Sequence, residues 1–163
     1  MKRSTLVVFA ALSSLAAASA HSQILAEKNI SLALANEAAM AAVDACTKSG
    51  YGVAAVVVDR AGHIKSAARS DNVGPHAVET SRRKAYTSLT FRNESLKLME
   101  AWAKNPAAQN LIYVPDVIAL GGGVPIRVGN EVIGAIGVGG APGGHLDEQC
   151  AVAAIEKIKD RLK

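Results

Sequence analysis

Cysteine is almost missing from this 163-residue chain: Cys46 and Cys150 are the only two, and no C-x-x-C occurs. Redox and zinc sites of the usual spacing are thereby excluded. Nucleotide-binding loops are missing as well, because the closest register to G-x-G-x-x-G, from Gly137, places Pro142 at the last glycine, and no G-x-x-x-x-G-K-[ST] exists. The chain also lacks G-x-S-x-G, and its histidines, His21, His63, His76 and His145, show no H-E-x-x-H. Nucleophile-elbow hydrolases and zinc hydrolases are disfavoured. There are no repeats, no linkers and no apolar run long enough to anchor as a spanning helix.

The apolar run from Leu6 to Leu12 follows the basic Met1-Lys2-Arg3 and precedes Ala18-Ser19-Ala20, a small-x-small cleavage pattern. Residues 1–20 therefore read as a signal peptide, with the mature chain starting at His21 and a periplasmic or secreted location. Residues 21–163 remain as one domain of 143 residues with room for a real core. Removing Lys2 and Arg3 lowers the formal charge from +4 to +2. Neither that balance nor Arg82-Arg83-Lys84, read as the polar face of a helix, gives a nucleic-acid footprint. In an oxidising compartment Cys46 and Cys150 read first as a structural disulfide, the alternative being two separate buried thiols.

The alanine-rich pattern from Ile24 to Lys48 predicts a helix stopped by Ser49-Gly50. Gly52–Val58, a nearly continuous β-branched run, predicts a strand covered on both faces, and His63–Arg69 returns after the turn at Asp59–Gly62. Pro75 suits the first turn of a helix that runs to about Arg92, with Ala77, Ser81, Ala85 and Leu89 as a small-residue stripe. His76, Thr80, Arg83 and Thr87 form a second stripe on that helix. A shorter helix is expected over Glu94–Ala103, a third strand from Val117 to Leu120, and a closing helix over Leu146–Leu162.

What the chain has in plenty is glycine between Leu120 and Cys150. A hairpin, Val124–Val128 and Glu131–Val138, is joined by Gly129-Asn130, a two-residue loop suited to a type II′ turn. Gly121, Gly122 and Gly123 precede it and Gly139–Gly144 follows. These bare-backbone loops either wall a small-molecule site or serve tight turns and close packing of helix on sheet. Five strands with helices before, between and after them predict an α/β/α (α+β) fold around a mostly antiparallel sheet. Of the histidines, His76 is the strongest candidate ligand, since it follows Gly-Pro at a helix start that holds it rigidly. His145 could reach an anion or metal at the start of the last helix.

The segments DNVGPHAVETSRRKAYTSLTFR and LGGGVPIRVGNEVIGAIGVGGAPGGHLDEQCAVAAI closely resemble the GlcG/HbpS-like haem-binding protein family. That family takes in a secreted streptomycete haem-binding protein, proteins encoded beside glycolate oxidase, and a domain of a propanediol-utilisation corrinoid enzyme. The resemblance covers roughly residues 25–162. It implies a profilin-like fold with a five-stranded sheet, homo-oligomers from dimer to octamer, haem as ligand, and a sensor protein as a possible partner. The E-x-x-E pairs associated with iron binding in the secreted member do not occur here.

Residues and resemblance together point to an exported haem-binding protein, engaged in haem sensing, capture or degradation. His76 would be the axial ligand to the metal, Thr80, Arg83 and Tyr86 would face the macrocycle or its propionates, and Gly121, Gly122 and Gly123 would let a flat ligand approach backbone. Two other readings stay open. One is an enzyme acting on a small organic acid or carbonyl compound with His76 as general base; the other is a structural or signalling partner protein.

Overall fold

The computed structural model describes residues 24–163, so the signal-peptide reading of residues 1–20 lies outside the described residues. The chain order is α1 (Leu32–Lys48), β1 (Ala54–Asp59), β2 (Ile64–Arg69), α2 (Ala77–Phe91), α3 (Ser95–Ala103), a 3-10 helix (Pro106–Tyr113), β3 (Gly123–Val128), β4 (Glu131–Gly139) and α4 (Gly144–Ile158). The strands make one antiparallel sheet in the order β2-β1-β4-β3. On one face α1 and α4 bury Ala38, Ala42, Ala151 and Ile158 against Ala55, Val57, Ile136 and Val138. On the other face α2 covers Val56, Val58 and Ala135 with Ala85 and Leu89. The result is α/β/α, with the central strands β1 and β4 buried on both sides.

The helix at the N-terminus is shorter than its alanine pattern suggests. Ile30 donates its N–H to the carbonyl of Ile133 at 3.0 Å, and the Asn29 side chain accepts from Arg60 N. That strap stays extended, and Ser31 caps a helix that begins only at Leu32. At the other end Gly50, at φ +84°, turns the chain out of the helix. The β3–β4 loop is as expected: Gly129 has φ +58° and Asn130 does not enter the left-handed region, the pattern of a type II′ turn.

The fifth strand is a correction: among the described residues the sheet has four. Residues 117–120 form no regular element and pair with no strand. Their backbone groups are satisfied by helix side chains instead, because Arg83 donates to Val117 O at 2.6 Å and Ile118 N donates to Thr87 Oγ1 at 2.9 Å. Ser95 continues the anchoring, donating to Leu120 O and accepting from Gly123 N. A segment whose polar groups are already paired needs no ladder.

The small stripe on α2 meets a matching stripe on β4. Ala135, Gly137 and Gly139 alternate beneath Ser81 and Ala85, and a Cβ at Gly137 would lie 2.0 Å from Ser81 O and 2.6 Å from Ala85 N. Helix backbone therefore rests directly on strand backbone. Gly137→Ala should force α2 away from the sheet and lower stability by about 1–3 kcal/mol, read as a lower midpoint in urea unfolding. An unchanged midpoint would show that the contact is not tight.

Cys46 and Cys150 are bonded, with Cα atoms 5.5 Å apart, so the disulfide ties the end of α1 to the first half of α4. Among the described residues no helix is long and apolar enough to cross a membrane.

Candidate functional site

The layers on either side of the sheet are joined at one end by a buried ion pair. Lys84 on α2 donates to Asp147 Oδ2 on α4 at 2.7 Å, with the two side chains 4% and 3% exposed. Lys84 also donates to Val138 O at 2.9 Å, while Asp147 Oδ1 accepts from Ala141 N at 3.0 Å. One ammonium thus fixes α2, the end of β4 and the start of α4 together. Burial pushes the Asp147 carboxyl above its ordinary value, and the Lys84 ammonium pulls it back. Glu148 is likewise raised by burial, against the N–H groups of Leu96 and Gly122.

Above this pair opens a cleft of about 420 Å³, within the size range of small-molecule sites. Lys84 and Asp147 form part of its lining, with Leu96, Met99 and Leu120 as apolar wall and Gly121 and the Gly140–Gly144 loop as bare backbone. His76 and His145 are exposed and line it from the starts of α2 and α4. Each ring folds back over the glycine two residues earlier, Gly74 or Gly143, where an added Cβ would come within 3.0 Å of the imidazole. His76 stands at the N-cap of α2 with no side-chain capping bond. Its carbonyl accepts from both Thr80 N and Thr80 Oγ1, which leaves the ring out of the helix's own hydrogen bonding.

Of the residues singled out from sequence, His76, Thr80, Gly121 and His145 come together in this cleft. The others do not. Arg83 is spent on Val117 O, and Tyr86 lines a separate groove with Arg60 and Asn130 near the β-turns. Gly122 and Gly123 are buried: a Cβ on Gly122, at φ +118°, would meet Val138 O at 2.6 Å, and one on Gly123 would meet Lys84 O at 2.1 Å. For these two, close packing is the reason for glycine. Lys84, expected with Arg82 and Arg83 on a polar helix face, lies instead beside Ser81, Ala85 and Ser88 on the buried side of α2, where an unpaired charge is costly, and its pairing with Asp147 has no local signal in the sequence. Among the described residues no group of three or more His, Cys, Asp or Glu is placed to hold a metal ion.

The sequence profile described as "Haem degrading protein HbpS-like" matches residues 30–156, most of the chain. This protein belongs to the HbpS-like family. A match of that extent takes in both histidines of the cleft and the ion pair beneath them. This HbpS-like chain is similar to Protein GlcG of Escherichia coli K12, at 33% identity over 91 residues, 56% of this chain and 66% of GlcG. A crystal structure of a double mutant of the Streptomyces reticuli HbpS superposes with a TM-score of 0.80 at 33% identity, covering 86% of this chain and 94% of that one. The fold recurs in the PduOC:haem complex, with a TM-score of 0.69 at 21% identity over 78% of this chain and 94% of that one.

Proposed function

We propose that this HbpS-like protein is an exported haem-binding protein, that the cleft between the starts of α2 and α4 is its haem site, and that His76 is an axial ligand. The observation that carries the reading is an imidazole free of capping duties on the rim of a cleft with an apolar wall, in a chain of a family described by haem chemistry. The donor set fits the group. Imidazole nitrogen is a common axial ligand of haem iron, and Leu96, Met99 and Leu120 offer aliphatic surface to the macrocycle. Bound haem would supply an iron centre able to take electrons or a further ligand. Propionates would find neither Arg83 nor Tyr86 here; their partners would be Thr80 and the first N–H groups of α4, where a helix start favours anions.

Titration of the mature protein with ferric haem tests this. A saturable Soret band is expected, with affinity falling at least tenfold in His76→Ala, about 1.4 kcal/mol, and unchanged in Arg83→Ala. Equal affinity of the parent and His76→Ala would remove His76 from the site. Assembly into homo-oligomers and contact with a sensor protein belong to the same reading and rest on family likeness alone.

A further inference from the structure

The groove lined by Tyr86 lies at the far end of the sheet from the cleft. β4 runs from Glu131, in this groove, to Gly139, next to the cleft, and α2 runs the other way, from His76 to Arg92. About 20 Å of helix therefore separates the two. The groove has a volume of about 560 Å³, with Leu89, Val132 and the Tyr86 ring as its apolar surface. That ring rests on the β1–β2 turn so closely that a Cβ at Gly62 would lie 2.8 Å from Cε2.

Two guanidiniums line the groove as well. Arg60 is fixed in place: Nη1 donates to Glu131 Oε1 and to Val132 O, and Nε stands 3.4 Å from Glu27 Oε1. Its Nη2 is left without a protein partner among the described residues. Arg92 sits at the C-cap of α2 in the left-handed region, at φ 52°, where glycine is the usual residue. Its N–H bonds to the carbonyls of Leu89 and Ser88, and its carbonyl accepts from Arg127, but any residue supplies those groups. The guanidinium itself has no hydrogen bond or ion pair among the described residues, so nothing inside the chain offsets the strain of a long side chain there.

The geometry points to a second ligand site in this groove, for a monocarboxylate with a flat apolar body. The carboxylate would be held by the Arg92 fork and the spare Nη2 of Arg60, with the body on Tyr86 and Leu89 and the Asn130 amide at the edge. Guanidinium presents paired N–H donors that match a carboxylate, and an apolar floor with a few placed polar groups is the common form of a small-molecule site. Charge disfavours a dianion: Glu131 lies in the same groove and Glu27 is beside Arg60, so a second negative charge meets carboxylates as well as cations. The site shares no residue with the cleft and stands apart from the haem reading.

Isothermal titration calorimetry of the haem-free mature protein with benzoate tests this, with benzamide as the uncharged isostere and inorganic phosphate as an anion without an apolar body. Benzoate should bind once per chain and more tightly than either. Arg92→Gln should weaken it about tenfold or more, the usual worth of a hydrogen bond to a charged group, while His76→Ala should leave it unchanged. Because Arg92 is exposed, urea unfolding and haem titration of Arg92→Gln should match the parent. No saturable benzoate binding, equal binding of benzamide or phosphate, or an affinity that Arg92→Gln does not lower overturns the site. Loss of benzoate binding in His76→Ala and not in Arg92→Gln puts the carboxylate in the cleft and overturns it too. Benzoate binding that depends on Arg92 in a protein that takes up no haem supports this site and overturns only the haem reading.

Discussion

Lys84→Met is expected to cost about 3–5 kcal/mol of folding free energy, because it leaves the Asp147 carboxylate buried without its cation. Asp147→Leu should cost a similar amount for the mirror reason, with the Lys84 ammonium left against Val138 O alone. The double variant, in which two apolar side chains of comparable length replace the pair, should lose far less than the sum. A buried ion pair holds its two members mutually, and removing both removes the desolvation penalty along with the attraction. Urea unfolding of the four proteins in a double-mutant cycle measures the coupling. Additive losses would show that the two residues stabilise the fold separately and that the pair does not clamp α2 to α4.

The second large effect concerns the disulfide. Cys46 and Cys150 are 104 residues apart, and in the chain-entropy account closing so long a loop stabilises the native state by about 4–5 kcal/mol. Replacing both cysteines with alanine should lower the unfolding free energy accordingly, within the observed range of about 2–5 kcal/mol for native disulfides. Free-thiol titration of denatured, unreduced protein should find none. Two reactive thiols in protein recovered from an oxidising compartment, or a double alanine variant as stable as the parent, would contradict the bridge. The bond also bears on the cleft, since Cys150 lies on the same helix as His145 and Asp147.

Much of the fold is local and was legible for that reason. The type II′ turn at Gly129-Asn130, the small stripe of α2 and the fully buried β1 follow from backbone preference and periodicity within a few residues. Residues 117–120 looked like a strand because an apolar run says only that a segment is buried, not what pairs with its backbone. Arg83 and Thr87, more than thirty residues away, decide that. The start of α1 failed in the same way: its alanine pattern runs back past Ser31, but Ile30 is captured by β4.

The site was legible only in part. A stripe along one helix places residues on a common side, but it also spreads them at about 1.5 Å per residue, and Tyr86 stands roughly 15 Å beyond His76 on that measure. One compact cleft does not reach both. The Lys84–Asp147 pair spans 63 residues with no local signature beyond a lysine on a buried face. His145 gave a weak signal in sequence and gains its meaning only when α4 is folded beside the start of α2.

The most direct measurement is the absorption spectrum of His76→Ala with ferric haem, recorded before and after imidazole is added. The Soret band of the parent should be displaced in the variant and should return when free imidazole fills the vacated position beside Thr80. A parental spectrum in His76→Ala without imidazole would contradict haem binding through His76 in the cleft between α2 and α4.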